Sequence, residues 1–554
     1  MHLELATYSK ALDSIIKQIE TVFREQWDGN ALTEWGSDVT FKYGDVAMRI
    51  CYMHLLFEAL DIRVGDKIAV CDKNSSNWAI VMLAVLTYHA VAVPLLPDYS
   101  KEQLKMLCEH CNAKFMIANH RLAHLWPKGE CPMYMLDVKD LLAMTPSALT
   151  DDVEEMAFAM FAKRYPKGFT KDDIHYEAER PDDLMILSYT SGSTGNPKGV
   201  MLPWRSLQSN MVFGRGAIPH PAGRSMLLLL PMAHMFGFTV DFLFGMLTGA
   251  HLTILTKAPS PSVIADAVSQ VKPVCLSCVP IAIEKFVKAR LLKTIRKPSV
   301  RVMLKVPGLR QLTCRYLRRR MVNDLGGRIY HVMTGGAALS KETERILHML
   351  RFPYTVGYGM TECGPMITFS DWKEHRVGSC GKAVVNMEVK VLSDDPQTVP
   401  GEIVAKGTNL MMGYYKNPEA TAETIDGDGW LHTGDLGVMD EDGFVYICGR
   451  KKNMLLGSNG QNIYPEEAEN QVVSYSVFDE CVVVRREEKL IGLVYVSDQT
   501  LKAKGMQRED LDLDVICEEV NLHLPSYCQL VRIEQKTEEF EKTPKRTIRR
   551  FLYQ

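Results

Sequence analysis

Tyr189-Thr190-Ser191-Gly192-Ser193-Thr194-Gly195-Asn196-Pro197-Lys198-Gly199 follows directly on the apolar run Met185-Ile186-Leu187. The apolar run reads as a strand. The glycines beyond it let backbone amides turn toward anionic oxygens, the Thr and Ser hydroxyls add donors, and Lys198 supplies a compact positive charge. In chemical terms this is a phosphate cradle. It differs from the usual nucleotide-triphosphatase loop, in which Gly-Lys is followed at once by Ser or Thr; here Gly199 and Val200 come next. Taken alone, a Gly/Ser-rich surface turn remains the plain alternative.

On the N-terminal side, a strand at Lys67 to Cys71, a helix around Asn77 to Thr87 and a strand at Val91 to Leu95 alternate. Further strands are expected at Asp183 to Leu187, Ser225 to Leu230, His251 to Leu255, Val274 to Ser277 and Ile329 to Met333, separated by stretches that suit helices. That alternation is the signature of an α/β fold. Asp151 to Arg180 is a charged excursion before the cradle, for which a ligand role stays open. After Met387 the pattern shifts to short strands, Val389 to Val391, Glu402 to Val404 and Val445 to Ile447, divided by Gly, Pro and Asp turns. A strand at Cys481 to Arg485 and a helix at Leu511 to Leu524 precede a basic tail, and a boundary is expected at residues 449–453.

With 554 residues, 46% of them hydrophobic and 24% charged, the chain exceeds what one core organises and leaves little reason to expect disorder. A net charge of -3 argues against a general affinity for nucleic acid or for an anionic membrane. The 14 cysteines are scattered, and no basic segment leads into an apolar one at the start, so a reducing, cytoplasmic setting is expected. The run Trp78 to Leu96 approaches bilayer length, but its polar interruptions and Pro94 fit a buried helix followed by a strand. Cys108-Glu109-His110-Cys111 has metal-capable side chains and no second cluster of suitable spacing, which favours ordinary helix core and surface.

The cradle resembles the phosphate loop of the adenylate-forming superfamily, which includes acyl-CoA synthetases, luciferases and peptide-synthetase adenylation domains. Further segments are similar to that family in the same order: Pro231-Met232-Ala233-His234-Met235-Phe236-Gly237, Gly335-Gly336-Ala337, Tyr358-Gly359-Met360-Thr361-Glu362, Thr433-Gly434-Asp435, and Gly449-Arg450 through Pro465-Glu466-Glu467. The resemblance implies a large multi-subdomain adenylate-forming domain over 1–448, a hinge at 449–453 and a small mobile α+β domain over 454–554. It also implies two half-reactions. A carboxylate and MgATP give acyl-AMP and pyrophosphate; CoA thiol then releases AMP and takes the acyl group.

Residue by residue, the resemblance puts Thr190, Ser191, Gly192, Ser193, Thr194, Gly195 and Lys198 on the departing pyrophosphate and Thr361 on a phosphate oxygen. Glu362 would hold Mg²⁺, a cation that prefers oxygen ligands. Gly336, Ala337, Tyr358 and Gly359 would surround the adenine, Asp435 and Arg450 the ribose, and His234 the acyl carboxylate. Gly457, Ser458, Asn459 and Gly460, just beyond the hinge, would leave a passage for the pantetheine arm of CoA. The family's C-terminal lysine falls on Thr547 in an ungapped comparison. A hydroxyl cannot replace that charge, so Lys545, or its neighbour Arg546, is expected to substitute.

The spacing around 273–339 looks most like bacterial long-chain fatty acyl-CoA synthetases, which makes a fatty acid, ATP and CoA the expected partners. Medium-chain, branched or aromatic acids stay open. So do a carrier protein as acceptor, a catalytically inactive acyl- or nucleotide-binding homologue, and assembly as a homo-oligomer. The helix-prone stretch Ile281 to Asn323 mixes apolar residues with many Lys and Arg. It reads either as a solvated surface or as a transient contact with an anionic membrane, which would place the protein peripherally at the inner face.

Overall fold

A computed structural model describes residues 13–119, 134–137, 151–190, 197–217, 222–456, 462–475, 477–486, 489–525, 528–542 and 548–553. The chain forms two compact units, Met1–Glu388 with Lys406–Gly427, and Val389–Ala405 with Asp428–Gln554.

Two seven-stranded sheets organise the first unit. One has the strand order Gly413–Tyr414, Lys198–Pro203, Leu184–Thr190, Val91–Leu95, Lys67–Cys71, Phe115–Ala118 and Tyr134–Asp137. Its last five strands run parallel, while the first two are antiparallel additions beside Leu184–Thr190. The other sheet has the order Tyr354–Val356, His331–Thr334, Cys275–Cys278, Ser225–Leu228, His251–Ile254, Asn30–Glu34 and Thr40–Lys42, parallel except at its final pair. Strands of parallel sheets are covered on both faces, so they read as continuous apolar runs. Lys67–Cys71, Val91–Leu95 and Phe115–Ala118 are buried along almost their whole length.

The helix Ser76–Thr87 is wholly buried except at Asn77 and is capped by the Ser75 hydroxyl on the amide of Trp78. No helix among the described residues is long and apolar enough to cross a membrane. Cys108 and Cys111 lie in the core beside Leu104 and Met116, and His110 Nδ1 lies 2.7 Å from the Tyr189 hydroxyl. The Asp151 to Arg180 excursion ends in a structural device. Glu179, 6% exposed, accepts from the amides of Ile15 and Ile16 at 2.6 and 3.2 Å, from the Ser14 hydroxyl, and from Gln208 Nε2 at 2.8 Å. One carboxylate thereby satisfies the first two open amides of the first helix, Ile15–Glu25, and the Ser14 hydroxyl takes the third, from Lys17.

The helix-prone stretch after Ile281 is not one helix. It divides into Pro280–Val287, a π-turn Lys288–Leu292, Lys293–Ile295, Pro298–Lys305 and Leu309–Asp324. Pro298 opens a new helix, and Pro307-Gly308 separates the last two, because proline donates no amide and cannot continue the preceding turn.

The second unit carries an antiparallel sheet of Met387–Leu392, Gly401–Gly407, Leu431–Met439 and Val445–Arg450, and a three-stranded sheet of Glu480–Arg486, Lys489–Tyr495 and Arg532–Lys536. The helices Pro465–Ser474 and Leu513–Asn521 bury Ala468, Val472, Cys517 and Val520 in the core beside that second sheet.

Asp241 lies fully inside the first unit, on the π-helical segment Gly237–Leu243, with its Oδ2 and the nearby Ser277 Oγ both short of a closed hydrogen bond. Burial pushes its carboxyl up to about 7, an effect that Ser277 only partly offsets. The folded protein therefore keeps a proton that the unfolded chain has released. The associated stability is full below the ordinary value of 3.8 and is lost as the pH rises through about 7. Asp241→Asn, which cannot ionise, should gain stability relative to wild type by on the order of 2–4 kcal/mol between about pH 5 and about pH 8. Thermal unfolding at both pH values checks this; a difference independent of pH would contradict it.

Candidate active site

The strands that flank the cradle pair antiparallel. Leu184–Thr190 pairs with Lys198–Pro203 in a register that sets Tyr189 opposite Gly199 and Thr190 opposite Lys198. Ser191, Gly192, Ser193, Thr194 and Gly195 lie outside the described residues. The pairing fixes the two ends of the loop, and Thr190 Oγ1 donates to the Lys198 carbonyl at 3.5 Å.

Lys198 Nζ sits 4.7 Å from the centre of the Tyr414 ring. The Tyr414 hydroxyl donates to Glu362 Oε1 at 2.9 Å. One tyrosine thus connects the cradle lysine to the expected metal ligand, joining them through a cation-π contact and a charge-assisted hydrogen bond. Burial and the Glu362 charge hold the Tyr414 phenol well above its ordinary value, so it stays protonated and able to donate. Sequence reasoning missed Tyr414. It lies more than fifty residues from Glu362, and its strand Gly413–Tyr414 joins the sheet only through two residues paired with Val200 and Met201.

Glu362 is 8% exposed and stands on the short turn Thr361–Cys363. Buried amides hold that turn. Asn210 Nδ2 donates to the Cys363 carbonyl at 3.2 Å, Asn210 Oδ1 accepts from the Met366 amide at 3.1 Å, and Thr239 Oγ1 donates to the Gly364 carbonyl at 3.0 Å. Gly359 is obligatory beside it, since a Cβ there would stand 2.0 Å from the Pro365 carbonyl oxygen. Glu362 Oε2 makes no hydrogen bond to a described residue. No cluster of three metal-ligating side chains occurs among the described residues. A lone buried carboxylate with one oxygen already held fits a small hard cation that takes few protein ligands and keeps waters and phosphate oxygens, as magnesium does.

Next to this turn lies a cavity of about 190 Å³. His234, Gly336, Tyr358, Gly359 and Thr361 all line it, so five of the expected residues share one space; Ala337 is exposed and does not line it. Gly336 has φ +81, a conformation that L side chains adopt only under strain. Much of its lining is apolar, including Phe213, Phe236, Phe244, Met333 and Phe369, with Asn210, Thr239 and Thr334 adding polar side chains. The rim follows from the sheet. Ser225–Leu228, His331–Thr334 and Tyr354–Val356 run in parallel register through Cys275–Cys278, and His234, Gly336 and Tyr358 all follow their carboxyl ends. Ligands of open α/β sheets bind at that edge.

In the second unit, Asp435 stands opposite Arg450 in the strand pair, and Arg450 Nε meets Asp435 Oδ1 at 2.8 Å. The two expected ribose residues are therefore together. Asp435 is 5% exposed, and its amide donates to Thr433 Oγ1 at 3.1 Å. Glu402, also missed from sequence, braces this strand. It accepts from the Gly434 amide at 3.2 Å and pairs with Lys451 at 2.9 Å and His432 at 3.2 Å. Burial raises the Glu402 carboxyl, but Lys451 and His432 outweigh it and leave the group below its ordinary value. In the expected hinge, Lys451–Asn453 forms a single 3-10 turn, and Asn453 Nδ2 donates to Glu466 Oε1 at 2.7 Å. Gly457, Ser458, Asn459, Gly460 and Lys545 lie outside the described residues, as do Arg546 and Thr547. Near them, Lys542 pairs with Glu480 at 2.5 Å, and Arg550 Nη1 donates to Glu469 at 2.6 Å.

Known proteins share this architecture. The family described as AMP-binding enzyme matches residues 20–415, and AMP-binding enzyme C-terminal domain matches 452–553. A long-chain-fatty-acid–CoA ligase from Escherichia coli is 26% identical over 506 residues, covering 85% of this chain and 82% of its own. The 4-coumarate–CoA ligase 4 of Arabidopsis thaliana is 28% identical over 491 residues, covering 85% and 79%. Among solved structures, O-succinylbenzoate coenzyme A synthetase from Bacillus subtilis, in complex with ATP and magnesium ion, superposes with a TM-score of 0.73 at 20% identity, covering 96% of this chain and 98% of its own. An anthranilate CoA ligase in complex with anthranoyl-AMP superposes with a TM-score of 0.76 at 18% identity, covering 99% and 98%. With the first family match running over well over half of its residues, the chain belongs to the AMP-binding enzyme family.

Proposed function

We propose that this protein activates a fatty acid with ATP through an acyl-AMP and transfers the acyl group to CoA, releasing AMP and pyrophosphate. The observation that carries the proposal is the apolar cavity, whose polar rim gathers His234, Gly336, Tyr358 and Thr361 beside Glu362. A largely apolar lining that carries a few polar groups suits an acid with a hydrocarbon tail. Both curated relatives described above are named as CoA ligases of acids with large apolar parts.

Joining a carboxylate to the α-phosphorus brings two anions together, so the site must neutralise charge and hold the attacking and leaving oxygens in line. Thr190 and Lys198, with the loop Ser191 to Gly195, would bind the departing pyrophosphate. Thr361 would contact a phosphate oxygen, Tyr358 would lie against the adenine, and Asp435 with Arg450 would hold the ribose. His234 orients the carboxylate and takes no proton, because a carboxylic acid is already ionised near neutral pH. Glu362, steadied by Tyr414, would hold the magnesium ion, which when bound supplies Lewis-acid neutralisation of the phosphate oxygens. In this reading the hinge is 449–453, and 454–554 is a mobile domain that brings Lys545 to the first half-reaction and Gly457 to Gly460 to the second. Cytoplasmic location belongs to the same reading.

The deciding experiment is ATP–pyrophosphate exchange with octanoate, palmitate and benzoate, followed by thioester analysis with CoA and with a separate carrier protein. Exchange driven by palmitate and a CoA thioester as product are expected. Exchange with benzoate alone would overturn the fatty-acid assignment, and binding without exchange would overturn adenylation altogether.

Two variants probe the phosphate end. Lys198→Ala should slow exchange by on the order of a hundredfold while leaving fatty-acid binding nearly intact. Tyr414→Phe should raise the magnesium concentration needed for half-maximal exchange by about tenfold or more, since one hydrogen bond to a charged group contributes about 1.5–3 kcal/mol. An unchanged magnesium requirement would detach Tyr414 from the metal role.

For the C-terminal cation, Lys545→Ala should slow single-turnover acyl-AMP formation at least about tenfold, roughly 1.4 kcal/mol of barrier. Thioester formation from supplied acyl-AMP should change far less. If Arg546→Ala causes that loss and Lys545→Ala does not, the role passes to Arg546.

A further inference from the structure

Between Lys288 and Asp324 the chain carries twelve Lys and Arg and a single acidic residue, Asp324, in a protein whose overall charge is -3. Most of these residues lie on the helix pair Pro298–Lys305 and Leu309–Asp324 or just before it. Among the described residues only one of the twelve has an acidic partner, Arg296 with Glu342 at 3.6 Å.

The second helix has two apolar stripes. Thr313, Leu317 and Met321, four residues apart, face inward and are buried. Leu309, Leu312 and Tyr316, spaced by three and four, form a separate face. Leu312 is 61% exposed and Tyr316 63%. Arg315 and Arg319 border this outer stripe on one side and Arg320 on the other. The first helix buries none of its residues and adds exposed Val302 and Met303, and Val306 follows in the turn.

We infer that this helical hairpin docks on an anionic lipid surface, the apolar stripe entering the headgroup–acyl boundary while the flanking arginines meet lipid phosphates. Amphipathic helices that lie in a membrane interface combine these two features. Nucleic acid would reward the charge but not the exposed Leu312, Tyr316 and Val302. A second copy of the chain would meet the apolar stripe with the same twelve like charges, which oppose self-association. The hairpin also belongs to the connection that leads from Cys275–Cys278 to His331–Thr334, and Thr334 lines the cavity. The inference rests on charge and exposure, so it stands whatever acid the cavity accepts.

The test is flotation of the full chain with vesicles of phosphatidylcholine alone and of phosphatidylcholine mixed with phosphatidylglycerol. Binding to the mixed vesicles, weakened by salt, is expected, with at least about tenfold less binding to the neutral ones. Combining R310E, R315E and R319E should lower binding to mixed vesicles by at least about tenfold, and Leu312→Ser with Tyr316→Ser should lower it at every salt concentration. All five side chains are exposed, so thermal unfolding should match wild type. Amide hydrogen exchange on the wild-type protein supplies a readout that needs no variant: residues 298–316 should gain protection on mixed vesicles. Equal binding to both vesicle types, unchanged binding by the variants, or no protection of 298–316 would overturn the inference. So would displacement from mixed vesicles by single-stranded DNA at matched charge, or a concentration-dependent oligomer that protects 298–316 without lipid.

Discussion

The hydrogen bond from Tyr414 to Glu362 is the interaction on which the end of the site nearest Lys198 depends. Together with its cation-π contact to Lys198, Tyr414 links three chain segments: the hairpin strand that begins at Lys198, the turn Thr361–Cys363, and its own edge strand Gly413–Tyr414. Glu362 is nearly inaccessible, and a buried carboxylate without donors is expensive to maintain. The phenol supplies one donor and remains neutral, because the same burial and the same negative charge keep it from ionising. The Met411 amide also donates to the Glu362 carbonyl at 2.8 Å, so backbone and side chain of the turn are held from one segment.

Parallel sheet geometry does the rest of the positioning. Three neighbouring connections leave the same edge of one sheet, and each delivers one element of the cavity rim: His234, Gly335-Gly336 and Tyr358. The strands themselves are apolar and rigid. Chemistry is therefore confined to the residues just beyond them, where backbone amides are no longer committed to the ladder.

This division explains what was legible in the sequence. Lys67–Cys71 and Val91–Leu95 are visible residue for residue because burial on both faces demands an unbroken apolar run, and other strands differ from expectation by one to three residues at their ends. The Tyr358 and Asp435 segments are each contiguous, and the fold brings them beside other expected residues, whereas Ser191 to Gly195 of the cradle lie outside the described residues. Tyr414, Glu179 and Glu402 are not legible, since each acts on residues far away in sequence and carries no local signature. Nor does periodicity disclose that Asp241 is buried without a closed hydrogen bond, because an acid within an apolar helical stretch can as well face solvent. The segment after Ile281 misleads for another reason. Its helical propensity is real throughout, but Pro298 and Pro307-Gly308 cut it into pieces, and the resulting hairpin exposes side chains that an uninterrupted amphipathic helix would have laid against the core.

That hairpin also changes how the whole-chain charge should be understood. A net charge of -3 suggests indifference to an anionic surface, yet it is the sum of one strongly basic element and a remainder that is more acidic than the average implies. Near such a surface the remainder is repelled while the hairpin is attracted, and the two effects act together as a torque. Screening confines both to about 8 Å at physiological salt, so only residues close to the surface contribute and distant acidic ones do not cancel the attraction. Orientation then follows from the charge asymmetry, and residence from the apolar stripe, whose exposed Leu312 and Tyr316 lose water only when the helix lies flat. Charge alone would give weak, unoriented adsorption, and exposed apolar area alone would favour aggregation. Their interleaving on one face is what distinguishes a docking element from either.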